Sequence, residues 1–135
     1  MRRFDDFEDF FRYYISQHSK PVTRWIHFGA THAGAAVALT SLVLRRPQLL
    51  LLAPLATYGP AFASHWIFEK NSPVTLKGNA LFAVRGDLRM ISLMWRGRDA
   101  ELGEIARQEL ERSAEAELKG IRVHVSEEEP AVAAS

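Results

Sequence analysis

Two long apolar runs occupy the middle of the chain and determine the first structural prediction. Residues 25–44 and 47–68 contain no Asp, Glu, Lys or Arg, and only Arg45-Arg46 separates them. Each run has the roughly 20 residues that an α-helix needs to cross a ~30 Å hydrocarbon layer. The pattern predicts a hairpin of two transmembrane helices, the second of them kinked by Pro54 and Pro60.

A soluble bundle with two fully buried central helices is the alternative to the membrane hairpin. The near-neutral mean hydropathy of −0.12 keeps this alternative open, although the polar C-terminal third lowers that mean. Trp25 and Trp66 lie at the outer ends of the two runs, where an aromatic belt meets the membrane interface. We therefore prefer the membrane interpretation.

An amphipathic helix is predicted before the hairpin, because aromatic side chains and one histidine recur there at the spacing of a single helical stripe. The stripe consists of Phe4, Phe7, Phe11, Tyr14 and His18. Proline disfavours the helical conformation in the residue before it and suits the first turn of a new helix. The first helix should therefore end near Ser19, and the second should begin around Pro21.

The remainder of the chain predicts two more helices and a tail. After a break at Asn71-Ser72-Pro73, an apolar stripe flanked by arginines is typical of a helix on a membrane surface. The stripe consists of Leu81, Val84, Leu88, Ile91 and Trp95. Residues 98–120 predict a solvated helix capped by Gly120, and residues 121–135 a disordered tail. The predicted fold class is all-α, with residues 1–97 as one helical metal-binding membrane domain.

Composition narrows the chemistry that this domain can support. A chain of 135 residues suits one domain, and a net charge of +1 provides no basic field that would attract nucleic acid. Because the chain has no cysteine, a metal must be held by His, Asp or Glu. The histidines are therefore the first candidates for a site.

The predicted hairpin brings two histidines to the same depth. His27 and His65 are nearly equidistant from the turn at Arg45-Arg46, so they should lie side by side. On one continuous helix, His18 would face away from His27, since they are nine residues apart. The break at Pro21 removes that obstacle and lets His18 approach from a separate helix.

Glu69 and His32 extend the candidate set. Glu69 follows His65 by four residues on the same helical face, where it can be a ligand or the acceptor that orients a ligating imidazole. His32 follows His27 by five residues and reaches the site only if the helix is distorted or the site covers two faces.

The ligand types leave the metal and its chemistry open. Imidazole and carboxylate suit Fe(II), Zn(II), Mn(II) or Cu(II), and spacing does not choose among them. Oxygen chemistry on iron, a zinc hydrolase, a haem or quinone electron carrier, and a non-catalytic cluster of hydrogen-bonded or structural-metal histidines are the alternatives.

Several short motifs resemble those of a known family. They are Tyr14-Ile15-Ser16-Gln17-His18-Ser19-Lys20-Pro21, Arg24, His27, Gly59, His65, Phe68-Glu69-Lys70-Asn71-Ser72-Pro73 and Gly86-Asp87-Leu88-Arg89-Met90. Over roughly residues 4–97 the chain resembles the small membrane family, long regarded as a domain of unknown function, that includes the fungal 2-hydroxy-palmitic acid dioxygenase of fatty-acid α-oxidation. It departs from the usual pattern of that family at Ser64, Ser72 and Val74.

The resemblance implies an Fe(II) enzyme that uses O₂ to cleave a 2-hydroxy fatty acid between C1 and C2, giving the acid one carbon shorter. The metal ligands that it implies are His18, His27 and His65. Glu69 would be a further ligand or an orienting group. Arg24 or Lys70 would neutralise the substrate carboxylate, unless they only mark the membrane interface.

The distribution of basic residues predicts the orientation in the membrane. Lysines and arginines near the open end of the hairpin outnumber the two arginines at its turn, so the positive-inside rule places both termini and the site in the cytoplasm. In a bacterium this would be the inner membrane. The expected partners are membrane lipid, a 2-hydroxy fatty acid and O₂, and nucleic acid is not expected. Formation of a homo-oligomer is left open.

Overall fold

Five α-helices form the described part of the chain. The computed structural model of the protein describes residue 4 and residues 6–77 and 80–128, with the backbone alone for residues 121–128. The helices are α1 (Phe7–Ser16), α2 (Pro21–Val43), α3 (Leu52–Ser64), α4 (Ala80–Trp95) and α5 (Asp99–Glu128). Short 3-10 helices at Pro47–Leu51 and Val74–Lys77 and a π-helical turn at His65–Glu69 lie between them. The all-α prediction is confirmed.

The boundary between α1 and α2 follows from the local sequence. The Asp6 carboxylate accepts hydrogen bonds from the backbone N–H groups of Glu8 and Asp9, at 3.1 and 3.4 Å, and so caps the start of α1. α1 ends at Ser16, and Pro21 opens α2 at its first position, where a missing N–H costs nothing. The predicted break is therefore present, and it leaves a short turn that carries His18.

The hydrophobic core lies between α1, α4 and the start of α5. Its fully buried side chains include Phe10, Ile15, Met90 and Leu102. The aromatic face of α1 is covered from outside by α4, whose Arg85 and Arg89 guanidinium groups lie 3.8 Å from the Phe7 ring centroid and 4.3 Å from that of Phe11.

α5 differs from its sequence prediction at both ends. It packs against α1, and Leu102, Ala106 and Glu109 are buried, so the helix expected to be solvated over 98–120 belongs to the core in its first turns. It also continues to Glu128 instead of ending at Gly120, which makes part of the segment expected to be disordered helical. Residues 129–135 of that segment lie outside the described residues.

α2 and α3 pack against each other along their length. They approach each other closely at Gly34, where an added Cβ would lie 1.8 Å from the Thr57 hydroxyl oxygen and 3.0 Å from the Ala53 carbonyl oxygen. Only glycine permits this separation of the two helices. The chain reverses after α2 through Arg45, which has a φ of 51°.

The second apolar run is not one uninterrupted α-helix. It is divided into the 3-10 helix Pro47–Leu51, the 13-residue α3 and the π-helical turn. At about 1.5 Å per residue, α3 alone spans about 20 Å, less than a ~30 Å hydrocarbon layer. Among the described residues, one helix, α2, is long and apolar enough to cross a membrane by length and composition.

Candidate metal centre

Three histidines from three different segments converge at one end of the α2–α3 pair. His18 lies in the turn after α1, His27 in the second turn of α2, and His65 at the start of the π-helical turn. All three are buried, and one ring nitrogen of each lies within 4.8 Å of the others. The Nε2 atoms of His18 and His65 are 3.1 Å apart. In the described part of the chain, this is the one group of three or more His, Asp or Glu side chains arranged to share a metal.

The Nδ1 atoms of His18 and His27 are occupied by oxygen acceptors. His18 Nδ1 donates to the Tyr14 carbonyl at 2.7 Å, and His27 Nδ1 donates to the Asp87 carboxylate at 2.9 Å. An imidazole that donates through Nδ1 keeps its lone pair on Nε2, so both rings offer Nε2 to a metal. Burial, followed by the neighbouring His27 and His65 rings, lowers the pKa of His18 well below its ordinary value and favours the neutral ligating form.

His65 is oriented in the same way by an amide. Its Nδ1 lies 2.7 Å from the Asn71 Oδ1 atom. The Asn71 Nδ2 atom donates to the Gln17 carbonyl at 3.0 Å, which fixes the amide so that its oxygen faces the imidazole. His65 therefore also donates through Nδ1 and keeps its lone pair on Nε2.

The Nε2 atoms of the three rings are the atoms left to bind a cation. With both Nδ1 atoms protonated, the contact between the Nε2 atoms of His18 and His65 joins two acceptors, and Nε2 of His27 is buried without a hydrogen-bond partner among the described residues. Nitrogens that share a metal at about 2.1 Å lie about 3.0–3.4 Å apart, which agrees with the observed 3.1 Å. A metal ion would satisfy the lone pairs that the protein leaves unpaired.

Asp87 is a site residue to which the sequence analysis gave no role. Besides His27, its carboxylate accepts hydrogen bonds from the Tyr14 hydroxyl at 3.2 Å and from the Thr31 hydroxyl at 3.0 Å. The preceding Gly86 lets α4 approach, since a Cβ there would lie 3.1 Å from the Tyr14 ring. The available signal was the Gly86-Asp87 pair in the last of the family motifs.

Glu69 lies outside the histidine cluster. Its carboxylate accepts from the Lys20 backbone N–H at 2.7 Å and from the Ser19 hydroxyl at 2.8 Å, and the Lys20 ammonium donates to the Phe68 carbonyl. The expected shared face of His65 and Glu69 assumed α-helical geometry, whereas this segment is a wider π-helical turn. The hydrogen bonds of Glu69 instead connect the turn that carries His18 to the segment that carries His65.

His32 also lies apart from the other three histidines. Its Nδ1 donates to the Phe28 carbonyl at 2.6 Å, and its Nε2 accepts from the Trp95 indole N–H at 3.0 Å. Both ring nitrogens are therefore occupied, Nδ1 within α2 and Nε2 in the contact with α4.

Arg24 has protein partners for its donors. It is 1% exposed, forms a bidentate pair with Asp99 at 2.7 and 3.1 Å, and donates to the carbonyl groups of His18 and Ser19 at 3.0 and 2.9 Å. These contacts fix the turn that carries His18 to α2 and α5. Lys70 is exposed at the end of the π-helical turn, with a φ of 58°.

A cavity of about 130 Å³ lies over the three histidines and Asp87. Its walls come from α3 and α4 and are largely apolar, with several hydroxyl groups. No lysine or arginine is among the described residues that line it, so Arg24 and Lys70 lie outside its lining.

Comparison with known protein families gives a match over most of the chain. A family model described as "Mpo1-like: 2-hydroxy-palmitic acid dioxygenase Mpo1-like" matches residues 4–99, which include the three clustered histidines, Asp87 and the Arg24–Asp99 pair. No curated protein and no solved structure matches the chain.

Proposed function

The chain belongs to the Mpo1-like family of 2-hydroxy-palmitic acid dioxygenases, and on that premise we propose that it is an Fe(II)-dependent dioxygenase of 2-hydroxy fatty acids. The reaction converts the acid and O₂ to the acid one carbon shorter, CO₂ and water, which balances atoms and electrons. The observation that carries the proposal is the set of three buried imidazoles whose Nδ1 atoms are all occupied, which leaves Nε2 of each ring for a metal, and of which one ring nitrogen each lies within 4.8 Å of the others.

His18, His27 and His65 would hold the iron through Nε2. Bound Fe(II) supplies a Lewis-acid centre at which a chelating 2-hydroxy acid and O₂ can meet. The protein orients the three rings with a backbone carbonyl, a carboxylate and an amide, as is usual behind metal-binding histidines. Because the ligands are neutral, they leave the charge of the cation available to an anionic substrate.

The lining of the cavity supports binding of the substrate carboxylate by this charge. No described lining residue is a lysine or an arginine, and the Arg24 guanidinium is already occupied by Asp99 and two carbonyl groups. Thr57 and Tyr58 also line the cavity, and their hydroxyl groups can donate to carboxylate oxygens. We therefore assign Arg24 to positioning of the His18 turn and not to substrate binding.

The geometry favours a reactive site over the alternatives from the sequence. A structural metal site is usually closed by four protein ligands, whereas this cluster has three histidines and borders a cavity. A haem is disfavoured because the rings of His18 and His65 are only 4.5 Å apart between centroids and the cavity is about 130 Å³.

A membrane location belongs to the same proposal. The exposed side of the α2–α3 pair is rich in leucine, and fatty acids partition into lipid. We propose that both helical segments lie in the bilayer, with the histidine end and both termini at the cytoplasmic face, as the positive-inside rule predicts.

Anaerobic reconstitution with Fe(II) tests the proposal. We expect stoichiometric iron in the wild-type protein and O₂ uptake on addition of 2-hydroxypalmitate, but not of palmitate. His65→Ala should lose the metal, whereas His32→Ala, which changes a histidine outside the cluster, should retain it. Bound iron without O₂ uptake on any 2-hydroxy acid would refute the activity, and metal retention by His65→Ala would refute the site.

A further inference from the structure

We infer that the acyl chain of the substrate leaves the cavity between α3 and α4 and lies outside the protein along these two helices, towards the turn that joins α2 to α3. The enzyme then selects its substrate by the head group and not by the length of the chain. This inference takes the identity of the head group from the proposed function.

The size of the cavity provides the first argument. Its volume of about 130 Å³ is close to the roughly 150 Å³ of an engineered cavity that holds one benzene molecule. The carboxylate, C2 and its hydroxyl group already amount to five non-hydrogen atoms. The cavity therefore has room for the head group and very few methylenes, and a long chain must continue elsewhere.

The exposure of the lining residues identifies the exit. The end of the cavity at His18, His65 and Val74 is buried. Three lining residues on α3 and α4 are open to the outside, since Tyr58 is 38%, Val84 42% and Leu88 57% exposed. α3 and α4 each pack against α2 but make few contacts with each other, which leaves a cleft between them.

The register of the helices shows which end of the cleft leads to the turn. Asp87 pairs with His27, and Trp95 pairs with His32, so α4 and α2 advance together towards the turn. α3 runs in the opposite sense, and its lower-numbered residues lie nearer the turn.

Beyond the mouth of the cavity, each helix presents a further apolar side chain in that direction. Leu55 lies one turn before Tyr58 on α3 and is 68% exposed, and Trp95 lies two turns after Leu88 on α4 and is 67% exposed. These two pairs of side chains form the apolar track, defined as Leu55, Tyr58, Leu88 and Trp95. A single acyl chain fits this track because the track begins at the mouth of the cavity that holds the head group.

Photo-cross-linking tests the path independently of turnover. The iron-loaded protein is illuminated with 2-hydroxypalmitate that carries a diazirine near either the carboxyl or the methyl end. We expect the first probe to label peptides that line the cavity, and the second to label the Leu55 and Trp95 peptides or surrounding lipid. The inference would be overturned if the methyl-end probe labelled the cavity or another surface of the protein. It would also be overturned if neither probe labelled anything.

Kinetics with a matched pair of variants provide the second test. Leu55→Asn should raise KM for 2-hydroxypalmitate by at least about fourfold, the factor that one buried methylene contributes, and leave KM for 2-hydroxyhexanoate unchanged. Leu81→Asn, on an exposed leucine of α4 on the far side of the mouth, should change neither. A sharp fall of kcat at one chain length, or equal effects of both variants, would contradict an external chain. If the protein consumes O₂ but the methyl-end probe labels a surface other than the apolar track, the path of the acyl chain is wrong and the proposed activity stands. If the probe labels the apolar track but no O₂ is consumed, only the proposed activity is refuted.

Discussion

The oxygen atoms that accept hydrogen bonds from the Nδ1 atoms of the three imidazoles come from three separate segments of the chain. Tyr14 contributes a carbonyl from α1, Asn71 an amide oxygen after the π-helical turn, and Asp87 a carboxylate from α4. The carboxylate is the only one of these acceptors that can carry a negative charge, so the bond to His27 is the charge-assisted one of the three. Among the three residues that orient the histidines, Asp87 is therefore the one whose loss should weaken metal binding most.

Asp87→Ala should weaken Fe(II) binding by about 10- to 100-fold, the usual effect of removing such an orienting group. The His27 ring would keep its position in α2 but lose the acceptor that holds its proton on Nδ1. Anaerobic titration with Fe(II) measures the change. Tyr14→Phe is the matched control, because it removes another donor to Asp87 and leaves the His27 bond intact. Equal losses in the two variants would show that Asp87 acts only through packing.

The sequence predicted the histidines of the site better than their partners. The equal distances of His27 and His65 from the turn and the break at Pro21 are local features, and they were enough to bring the three rings together. Asp87 lies 60 residues from His27 in the chain, on a helix whose pattern indicated only an apolar stripe at a membrane surface. The position of Glu69 depended on a π-helical turn, which no periodicity in this short segment indicates.

At the scale of elements, the Arg24–Asp99 pair joins the start of α5 to α2 and to the turn that carries His18. The guanidinium is buried, while the Asp99 side chain is 24% exposed. α5 is thus connected to the histidine cluster through one buried charge, although none of its described side chains lines the cavity.

Asp99→Ala should destabilise the protein by about 3 kcal/mol, because it leaves the buried Arg24 charge without its counter-ion. Glu101→Ala, two residues later in the first turn of α5, breaks an exposed pair with Arg98 and should cost at most about 1 kcal/mol. Chemical unfolding in detergent compares the two. A similar loss in both variants would mean that Asp99 acts only as a negative charge at the start of the helix.

The elements that the sequence misjudged are those in which packing overrides a weak pattern. α5 has few large apolar residues, and it joins the core through Leu102 and the small Ala106, while the polar Glu109 is buried one turn further on. A search for an apolar stripe does not detect such a face. In the second apolar run, hydrophobicity gave the extent of the segment correctly but not the change from 3-10 to α to π geometry within it.

The whole molecule divides its apolar side chains between two environments. The aromatic residues of α1 are buried against α4 and α5, whereas leucines at the turn end of the α2–α3 pair are exposed. The exposed leucines of this end include Leu39, Leu42, Leu51, Leu52 and Leu55. A contiguous patch of this kind marks a membrane or a protein partner, and its position around an apolar helix of spanning length favours lipid.

Substitution of leucines at equal depth tests this location. Leu39 and Leu52 are nearly equidistant from the turn, and both are at least half exposed. An aspartate in the hydrocarbon costs up to about 3 kcal/mol, so the double variant Leu39→Asp/Leu52→Asp should move the protein from the carbonate-resistant membrane fraction into the extract or abolish its insertion. The control, Leu110→Asp/Leu118→Asp, changes two exposed leucines of the charged helix α5 and should stay in the membrane fraction. If carbonate extracted the wild-type protein, the soluble bundle would be the correct alternative. If both double variants were extracted equally, the surface of the α2–α3 pair would not be what holds the protein in lipid.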